Sequence, residues 1–337
     1  MTGSSTLPSI SAAVPPLGHF APSLVLSFDV EEHDRIEAAV AGGVSASPEL
    51  KATYAGRMET VTRHILDRLA ATGTQATFYI VGEIARSHPR LVFDIAYAGH
   101  EVGAHSWDHK RVHRFDPRGF AEDLRVTKDA LEQAAGMPVF GFRAPTFSIV
   151  KETAWAIDVL AESGYAYDTS IYPVRHDRYG VPDAPRSPFV VVGPSGGEML
   201  ELPPVTYRMA KNNFPVAGGG YFRLFPLWVT KAALRQIVKE TVPPVGMMYF
   251  HPWEFDPTQP KLPLKKLSKF RTYVGINKSE QKLETLLNTM SFRRAIDVVS
   301  DLYAIKDTLP RYELGERAGV MATRVRLETA NAEPVKV

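Results

Sequence analysis

The chain contains no cysteine among its 337 residues, which excludes disulfide bonds and thiolate metal ligands. Any bound metal must therefore be held by histidine and carboxylate groups. The formal net charge is only +2, so no excess charge of either sign indicates nucleic acid or an anionic membrane surface as a partner. The lack of cysteine fits a reducing compartment.

Long apolar runs are also missing from the sequence. No stretch approaches the roughly 18 uninterrupted apolar residues that a transmembrane helix needs, so we expect no membrane span. The N-terminal region has no basic segment, and Pro15 and Pro16 interrupt its short apolar stretch, so we predict no secretion signal and a cytoplasmic location. With 45% hydrophobic and 23% charged residues, the composition is that of a soluble globular protein.

The first half of the chain alternates between predicted strands and helices. Short apolar runs typical of buried strands lie at residues 24–28, 76–81, 101–104 and 139–142. Apolar residues recur at helical spacing in segments 58–70, 89–99, 117–135 and 152–162. This alternation predicts an α/β fold with a largely parallel sheet or barrel.

The second half is richer in proline and glycine, and three glycines at 218–220 mark a tight backbone site. It contains a predicted helix at 226–240, a buried strand at 247–250 and a final amphipathic helix at 279–290. We therefore predict a flexible leader at 1–22, a folded unit at 23–310 whose C-terminal part starts at about 190, and a charged tail at 311–337.

Two alternate carboxylates lie at the end of the first predicted strand. Residues i and i+2 of a strand face the same side, so Asp29 and Glu31 can point into one cleft beyond the strand. Glu32 and Asp34 show that acidic residues are plentiful here, and a solvated acidic loop is the plainer alternative.

Two histidines follow the third predicted strand. A spacing of four would place His105 and His109 on one face of a helical turn, a geometry suited to metal binding, although surface histidines are the alternative. Active sites of α/β proteins collect at the carboxyl ends of strands. With Glu31 as third ligand and Asp29 as a base for water activated by the metal, the set indicates a metal-dependent hydrolase.

Two later predicted strands end in residues suited to the same chemistry. Arg143 could form an ion pair with Asp29 that keeps the carboxylate ionised and fixes its orientation, although a purely structural salt bridge is an equal alternative. His251 could serve as a general acid near neutral pH, although a lone histidine after a strand is more often structural.

Four further residues have two interpretations each. Trp107 and Trp253 are candidate platforms for a sugar ring, although buried aromatic residues are the usual explanation. Asp168 either helps to hold the arginine or lines the cleft, and a residue in a turn between a helix and a strand is the equal alternative. Arg223, close to the three glycines, either shapes a substrate groove or belongs to a tight turn.

The order Ser-Phe-Asp-x-Glu (27–31), His-Ser-x-x-His (105–109), Phe-Arg-Ala-Pro (142–145) and a late strand ending in His251 resembles the polysaccharide deacetylases, also called carbohydrate esterase family 4 or the NodB-homology group. Longer phrases resemble the subfamily of XrtA/PEP-CTERM (exosortase) exopolysaccharide loci, and they lie at 141–149, 167–173, 175–180, 218–223 and 249–254. Together these phrases span about residues 24–310.

The resemblance implies a distorted (β/α) barrel of the NodB type with fewer than eight strands, followed by a C-terminal extension. It also implies roles for the candidate residues, namely the base for Asp29, metal ligands for Glu31, His105 and His109, the base-orienting arginine for Arg143 and the acid for His251. Thr146 and Phe147, after the motif's proline, would provide the oxyanion-stabilising backbone donor and substrate contacts. The sequence departs from the family pattern at Val30, where a second Asp is usual, and at Thr146, where an aromatic residue is usual.

From this resemblance we expect metal-dependent removal of acetyl groups from N-acetylhexosamine units of a bacterial exopolysaccharide or its precursor. Zn²⁺ is the expected metal, because two imidazoles and a carboxylate suit it. The expected partner is the amino-sugar glycan, without nucleic acid or stable membrane insertion, and a homo-oligomer stays open. The alternatives are hydrolysis of another linear or cyclic amide of the ureide or formyl-sugar type, and a non-catalytic glycan-binding protein on the same fold.

Overall fold

The computed structural model describes residues 20–316. Residues 1–19 of the predicted leader and residues 317–337 of the predicted tail lie outside the described residues.

The strands of the described region belong to one large sheet and one hairpin. They are β1 (Ser23–Val30), β2 (Thr77–Ile80), β3 (Glu101–Ala104), β4 (Gly141–Phe142), β5 (Tyr167–Asp168), β6 (Phe189–Val192), β7 (Glu198–Glu201), β8 (Thr206–Met209), β9 (Asn212–Pro215), β10 (Val245–Phe250) and β11 (Arg311–Glu313). The large sheet has the order β10-β1-β2-β3-β4-β5-β7-β6-β11, and β8 and β9 form the hairpin. All neighbours from β10 to β7 pair in parallel, which confirms the predicted parallel α/β architecture.

The seven parallel strands curl into a barrel that closes beside β10. The chain leaving β7 forms a parallel bridge between Pro204 and Met247, and the Val205 N–H donates to the Met247 carbonyl over 3.0 Å. The predicted distorted (β/α) barrel with fewer than eight strands is confirmed by this arrangement.

Two further strands extend the sheet past β7. β6 pairs with β7 in antiparallel fashion, and β11 pairs with β6 in parallel, with Arg311 opposite Val190. The first residues of the predicted charged tail, 311–313, form β11 and belong to the sheet.

Helices cover the outside of the barrel. They are α1 (Glu37–Val40), α2 (Pro48–Ala71), α3 (Gly82–Ser87), α4 (Pro89–Tyr97), α5 (Pro117–Ala135), α6 (Trp155–Glu162), α7 (Gly219–Leu224), α8 (Leu227–Glu240), α9 (Lys266–Tyr273), α10 (Ser279–Leu287) and α11 (Ala295–Tyr303). The predicted helix at 279–290 is therefore not the final one, since α11 follows it.

Local signals in the sequence set the ends of α5. The Asp116 side chain accepts a hydrogen bond from the Gly119 N–H over 2.6 Å, and Pro117 occupies the first turn, where its missing N–H costs nothing. Gly136 ends the helix in the left-handed conformation with φ 69°. These signals explain why the predicted helix at 117–135 has the bounds expected from the sequence.

Side chains alternate along each strand, so one set packs against the helices outside the barrel and the other set faces the inside of the barrel. In β1, Leu26, Phe28 and Val30 join the large apolar core that includes α2 and α4, whereas Asp29 faces the inside of the barrel. The inside is polar in part: the Tyr79 hydroxyl lies 3.0 Å from the Tyr167 hydroxyl. Polar residues at inward positions can therefore reach one another across the barrel.

The amino-terminal end of the barrel is covered by the start of α11. The Ala295 N–H donates to Thr77 Oγ1 over 2.7 Å, and the Ile296 N–H donates to Glu101 Oε2 over 2.8 Å. These contacts place α11 at the end of the barrel opposite to the carboxyl ends of the strands.

Candidate metal and catalytic site

The predicted site residues meet at the carboxyl ends of the parallel strands. Asp29 is the penultimate residue of β1 and Glu31 follows that strand, while His105 follows β3, Arg143 follows β4 and His251 follows β10. Parallel strands bring their carboxyl ends to one end of a barrel, so residues far apart in sequence converge there.

Glu31, His105 and His109 form a cluster of candidate metal ligands. Each offers one ligand atom, and these atoms all lie within 4.8 Å of one another. His109 Nε2 lies 2.6 Å from Glu31 Oε2, and the rings of His105 and His109 are 5.1 Å apart. The sequence prediction that these three residues lie together is confirmed.

The two histidines do not lie on a helical turn, which corrects the prediction from their spacing. Residues 105–111 form a loop in which Ser106 and His109 both have φ 62°. Residues other than glycine seldom adopt this left-handed backbone, and such strain is typical of sites held in place by their surroundings. Turns of the loop, rather than helical periodicity, therefore bring the imidazoles together.

The donor set fits a divalent metal. His105 Nδ1 lies 2.7 Å from the Arg143 carbonyl oxygen, and donation there leaves Nε2 free as a ligand atom. Glu31 Oε2 lies 2.6 Å from His109 Nε2, so this carboxylate oxygen and this imidazole nitrogen are close enough to bind one cation together. Two imidazoles and a carboxylate suit Zn²⁺ and several other divalent ions.

The protonation states also suit a metal. Burial by itself would raise the pKa of Glu31, but the charge of His109 and the hydrogen bond with it, aided by His251 and His105, lower this pKa below its usual range. Burial lowers the pKa of His105 to about 4. At neutral pH the cluster therefore holds a carboxylate and a neutral imidazole, the forms that bind a cation.

Asp29 is held by Arg143 beside the metal ligands. Arg143 Nη1 donates to Asp29 Oδ1 over 2.5 Å, and the guanidinium lies 4.2 Å from the centre of the Tyr79 ring. Burial alone would lower the pKa of Arg143, but the charge of Asp29 raises it, so the guanidinium stays charged. Asp29 Oδ2 lies 3.9 Å from His251 Nε2, which leaves this oxygen facing the site.

His251 is supported by a carboxylate that the sequence analysis did not identify. Its Nδ1 lies 2.7 Å from Glu254 Oε1, while its Nε2 lies 3.7 Å from Glu31 Oε1. Burial alone would lower the pKa of His251, but the hydrogen bond to Glu254 and the charges of Glu31 and Glu254 raise it to about 9. His251 therefore carries a proton at neutral pH and presents it toward the site.

Arg223 in turn holds Glu254. Arg223 Nη1 forms an ion pair with Glu254 Oε2, and both side chains are buried. Burial would raise the pKa of Glu254, but the charge of Arg223 and the bond to His251 lower it. Glu254 lies three residues after His251 in a short 3-10 turn, and that spacing in the phrase His-Pro-Trp-Glu was the available signal for it.

Thr146 and Phe147 lie beside the ligands on a backbone segment with positive φ, 57° and 50°. Both residues line the cavity at the site, and the Phe147 ring contacts Tyr249 at a centroid distance of 4.8 Å. The Ala144 N–H just before them donates to Ser170 Oγ over 2.7 Å, which fixes the start of this segment.

Two predicted substrate-binding residues lie away from the cavity. Trp107 packs against Gly82, where an added Cβ would lie 2.6 Å from its ring, and Arg86 lies 4.5 Å from its ring centre. Asp168 is fully buried, where burial raises its pKa, and it accepts a hydrogen bond from Ser170 Oγ over 2.6 Å. Neither residue lines the cavity, so the structure does not bring them together with the other site residues. Contact of either residue with substrate stays a prediction.

Trp253 and Arg223 do line the cavity. The Trp253 Nε1–H donates to Glu31 Oε1 over 3.1 Å, and its ring stacks on His251 with 5.3 Å between centroids. Trp253 is only 8% exposed, so its main contacts are with the ligand Glu31 and with His251. Arg223 reaches the site through Glu254.

The site opens into a cavity of about 400 Å³, a volume in the usual range for a small-molecule site. Asp29, Glu31, His105, His109 and His251 form its inner end.

Comparison with known families gives two adjacent matches. Residues 48–167 match the family model for polysaccharide deacetylases, and residues 169–300 match a domain of unknown function, DUF3473. The first match includes His105, His109 and Arg143. Because β7 and β10 of the same barrel lie in the second, the region of unknown function completes the barrel and carries His251.

Curated relatives match a part of the chain. A peptidoglycan-N-acetylglucosamine deacetylase of Bacillus cereus is 27% identical over 120 residues, which are 32% of this chain and 44% of that protein. A chitin deacetylase of Pestalotiopsis sp is 29% identical over 128 residues, which are 36% of this chain and 42% of that protein. The chain thus spans less than half the length of these relatives.

A solved structure from Mycobacterium smegmatis, described as that of a putative polysaccharide deacetylase, is 16% identical to this chain with a TM-score of 0.53. The match covers 96% of this chain and 99% of that one. This likeness confirms the fold. Residues 48–167 are therefore similar to the polysaccharide deacetylase domain, and the relatives that match part of this chain are deacetylases. Within residues 20–316, none of the helices combines the length and apolar character needed to cross a bilayer.

Proposed function

We propose that the protein is a metal-dependent N-deacetylase acting on N-acetylhexosamine units of a glycan. One observation carries this proposal: Asp29 and His251 lie beside the cluster of Glu31, His105 and His109. Its relatives that act on peptidoglycan N-acetylglucosamine and on chitin support the substrate class.

Glu31, His105 and His109 would hold the divalent metal, with Zn²⁺ as the expected ion. When bound, the metal activates water and polarises the acetamide carbonyl.

Asp29 and His251 divide the proton transfers. Asp29 Oδ2, the oxygen that Arg143 leaves free, accepts a proton from the attacking water. His251 Nε2 donates a proton to the departing amine, which completes the release of acetate and a free amino sugar. A backbone N–H near Thr146 stabilises the developing oxyanion, because this segment is fixed beside the ligands.

The natural substrate in this proposal is a bacterial exopolysaccharide or its precursor, as the resemblance to the XrtA/PEP-CTERM subfamily implies. A cytoplasmic location fits a biosynthetic precursor better than a finished polymer. The proposed reaction needs neither nucleic acid nor membrane insertion, and it is compatible with a homo-oligomer.

Acetate release from N-acetylglucosamine oligomers by the metal-loaded protein tests the proposal. We expect turnover that a chelator abolishes and that added Zn²⁺ restores. Ammonia or formate release from ureide or formyl-sugar substrates without acetate release would instead favour another amide. Glycan binding without any product would favour a binding protein on this fold.

A further inference from the structure

The cavity extends from the metal ligands to an apolar opening. Leu224 of α7 and Leu267 and Phe270 of α9 line the cavity, and each is strongly exposed, at 47%, 62% and 56%. Ile36 and Ala38 line the same cavity. Single exposed apolar side chains are common on proteins, but a group around one opening marks a surface that binds an apolar group.

The same opening carries excess positive charge. Arg178 and Arg271 line the cavity, and Lys265, Lys266 and Lys269 are exposed on or next to α9. Within residues 20–316, no carboxylate lies within 4 Å of the Arg178 guanidinium, and the acid paired with Arg271 is 3.9 Å away.

The acids near the opening do not cancel this charge. Glu37 also lines the cavity, but it is paired with Arg111 at 3.1 Å. Asp177, the partner of Arg271, is itself exposed. An anionic group is therefore favoured beside Arg178 and Arg271.

We propose that the substrate is an anionic amphiphile, an N-acetyl amino sugar joined through a phosphate to an apolar chain. This inference rests on the proposed function and names its substrate class. The acetamide lies against Glu31, His105 and His109, the phosphate lies near Arg178 and Arg271, and the chain lies on Leu224, Leu267 and Phe270. The cavity connects these three regions without interruption, so one molecule can occupy all of them.

Synthetic amphiphiles of increasing chain length test the apolar part. The probes are methyl, butyl, hexyl and octyl β-glycosides of N-acetylglucosamine, used below their micelle concentrations, with acetate release measured as kcat/KM. We expect kcat/KM to rise about two- to fourfold for each methylene that reaches the rim. Equal values across the series would overturn the inference while leaving the proposed function intact.

A double substitution at the rim localises the effect. In the variant Leu267→Ser/Phe270→Ser, the kcat/KM of the octyl glycoside divided by that of the methyl glycoside should fall toward one. Met209→Ser is the matched control, because Met209 is an exposed apolar residue of the β8–β9 hairpin outside the cavity and should leave the ratio unchanged. An unchanged ratio in the rim variant would contradict the placement of the chain.

A phosphodiester of the same sugar and an octyl chain tests the anionic part. We expect its kcat/KM to exceed that of octyl glycoside about fivefold or more at low salt and to lose this gain near 1 M salt, because exposed charges are screened. Arg178→Gln/Arg271→Gln should remove the gain. If the kcat/KM of the phosphodiester does not exceed that of octyl glycoside, the proposed phosphate position near Arg178 and Arg271 is wrong.

Failure of the proposed function gives a different result, namely no acetate from any probe with or without metal. The amphiphile site can be tested in that case as well, because titration calorimetry measures the affinity of Asp29→Asn for each alkyl glycoside of the series. A Kd that tightens with chain length would support the amphiphile site, and a constant Kd would reject it.

Discussion

Arg143 holds only one oxygen of Asp29. Its Nη1 donates to Oδ1 over 2.5 Å, while Oδ2 is turned toward His251 at 3.9 Å from Nε2. The guanidinium thus fixes the carboxylate without occupying the oxygen that a base needs. A fully buried arginine with this partner is costly to place in an apolar protein interior, and function is the natural reason to keep it.

Asp29→Asn tests this arrangement. The amide keeps the size of the side chain but cannot accept a proton from water, so kcat should fall about 10²- to 10⁴-fold while bound metal is retained. Rates of acetate release and the metal content of the same sample measure both effects. Asp34→Asn, a nearby acid outside the cavity, is the control and should keep its activity. Full activity of Asp29→Asn would contradict the proposed base.

The metal cluster gives a second prediction. His109→Ala removes one of three ligand atoms that lie within 4.8 Å of one another, so the purified protein should lose its metal and its activity. Ligand binding stabilises the native state, and a metal at about 100 times its Kd adds about 2.7 kcal/mol. Wild-type protein should therefore gain melting temperature on addition of Zn²⁺, and the variant should not. His113→Ala, at an exposed histidine in the same region, should behave as wild type.

The pair of His251 and Glu254 sets a third prediction, on pH. The general acid must be protonated, and the pKa of His251 is raised to about 9, so activity should decline as pH rises through about 9. Glu254→Gln removes a charge and a hydrogen bond that raise this pKa, so the alkaline decline should move to lower pH. The measurement is kcat/KM against pH. Glu284→Gln, on the exposed side of α10, is the control and should leave the profile in place. A profile unchanged in Glu254→Gln would show that His251 does not depend on this carboxylate.

The main elements of the barrel could be predicted from local sequence. β3 and α5 have the bounds expected from their apolar runs and end signals, because capping by Asp116 and termination by Gly136 are local effects. β7 could not be predicted in the same way. Its place in the barrel depends on pairing with β5 and on a bridge from Pro204 to Met247, contacts between residues distant in sequence.

Site residues could be predicted from the sequence where they lie at or next to the carboxyl end of a strand. Asp29, Arg143 and His251 all follow this rule, and alternation along the strand fixes the side they face. The position of Trp107 could not be predicted in this way, because Ser106 before it has a left-handed backbone and the indole packs against Gly82 instead of lining the cavity. It missed Glu254, whose role depends on Arg223, a residue 31 positions earlier.

Glu101 at the closed end of the barrel gives a prediction on stability. Its carboxylate accepts hydrogen bonds from Thr77, Tyr167 and the Ile296 N–H, yet burial outweighs these bonds and raises its pKa from 4.5 to about 7. Between these two pH values the native state binds a proton that the unfolded state has lost. The free energy of unfolding should therefore fall as pH rises from about 5 to 8, by about 3 kcal/mol for a shift of this size.

The variant Glu101→Gln isolates the contribution of Glu101 to the pH dependence of the free energy of unfolding. Glutamine does not titrate, so the free energy of unfolding of the variant should depend less steeply on pH over the same interval, whatever the absolute cost of the substitution. Urea unfolding of both proteins at pH 5, 6, 7 and 8 gives the comparison, and groups that titrate alike in both cancel in the difference. Glu284→Gln should retain the wild-type slope. A difference between wild type and Glu101→Gln that stays constant with pH would mean that Glu101 is already ionised at pH 5, and that its three hydrogen bonds outweigh burial.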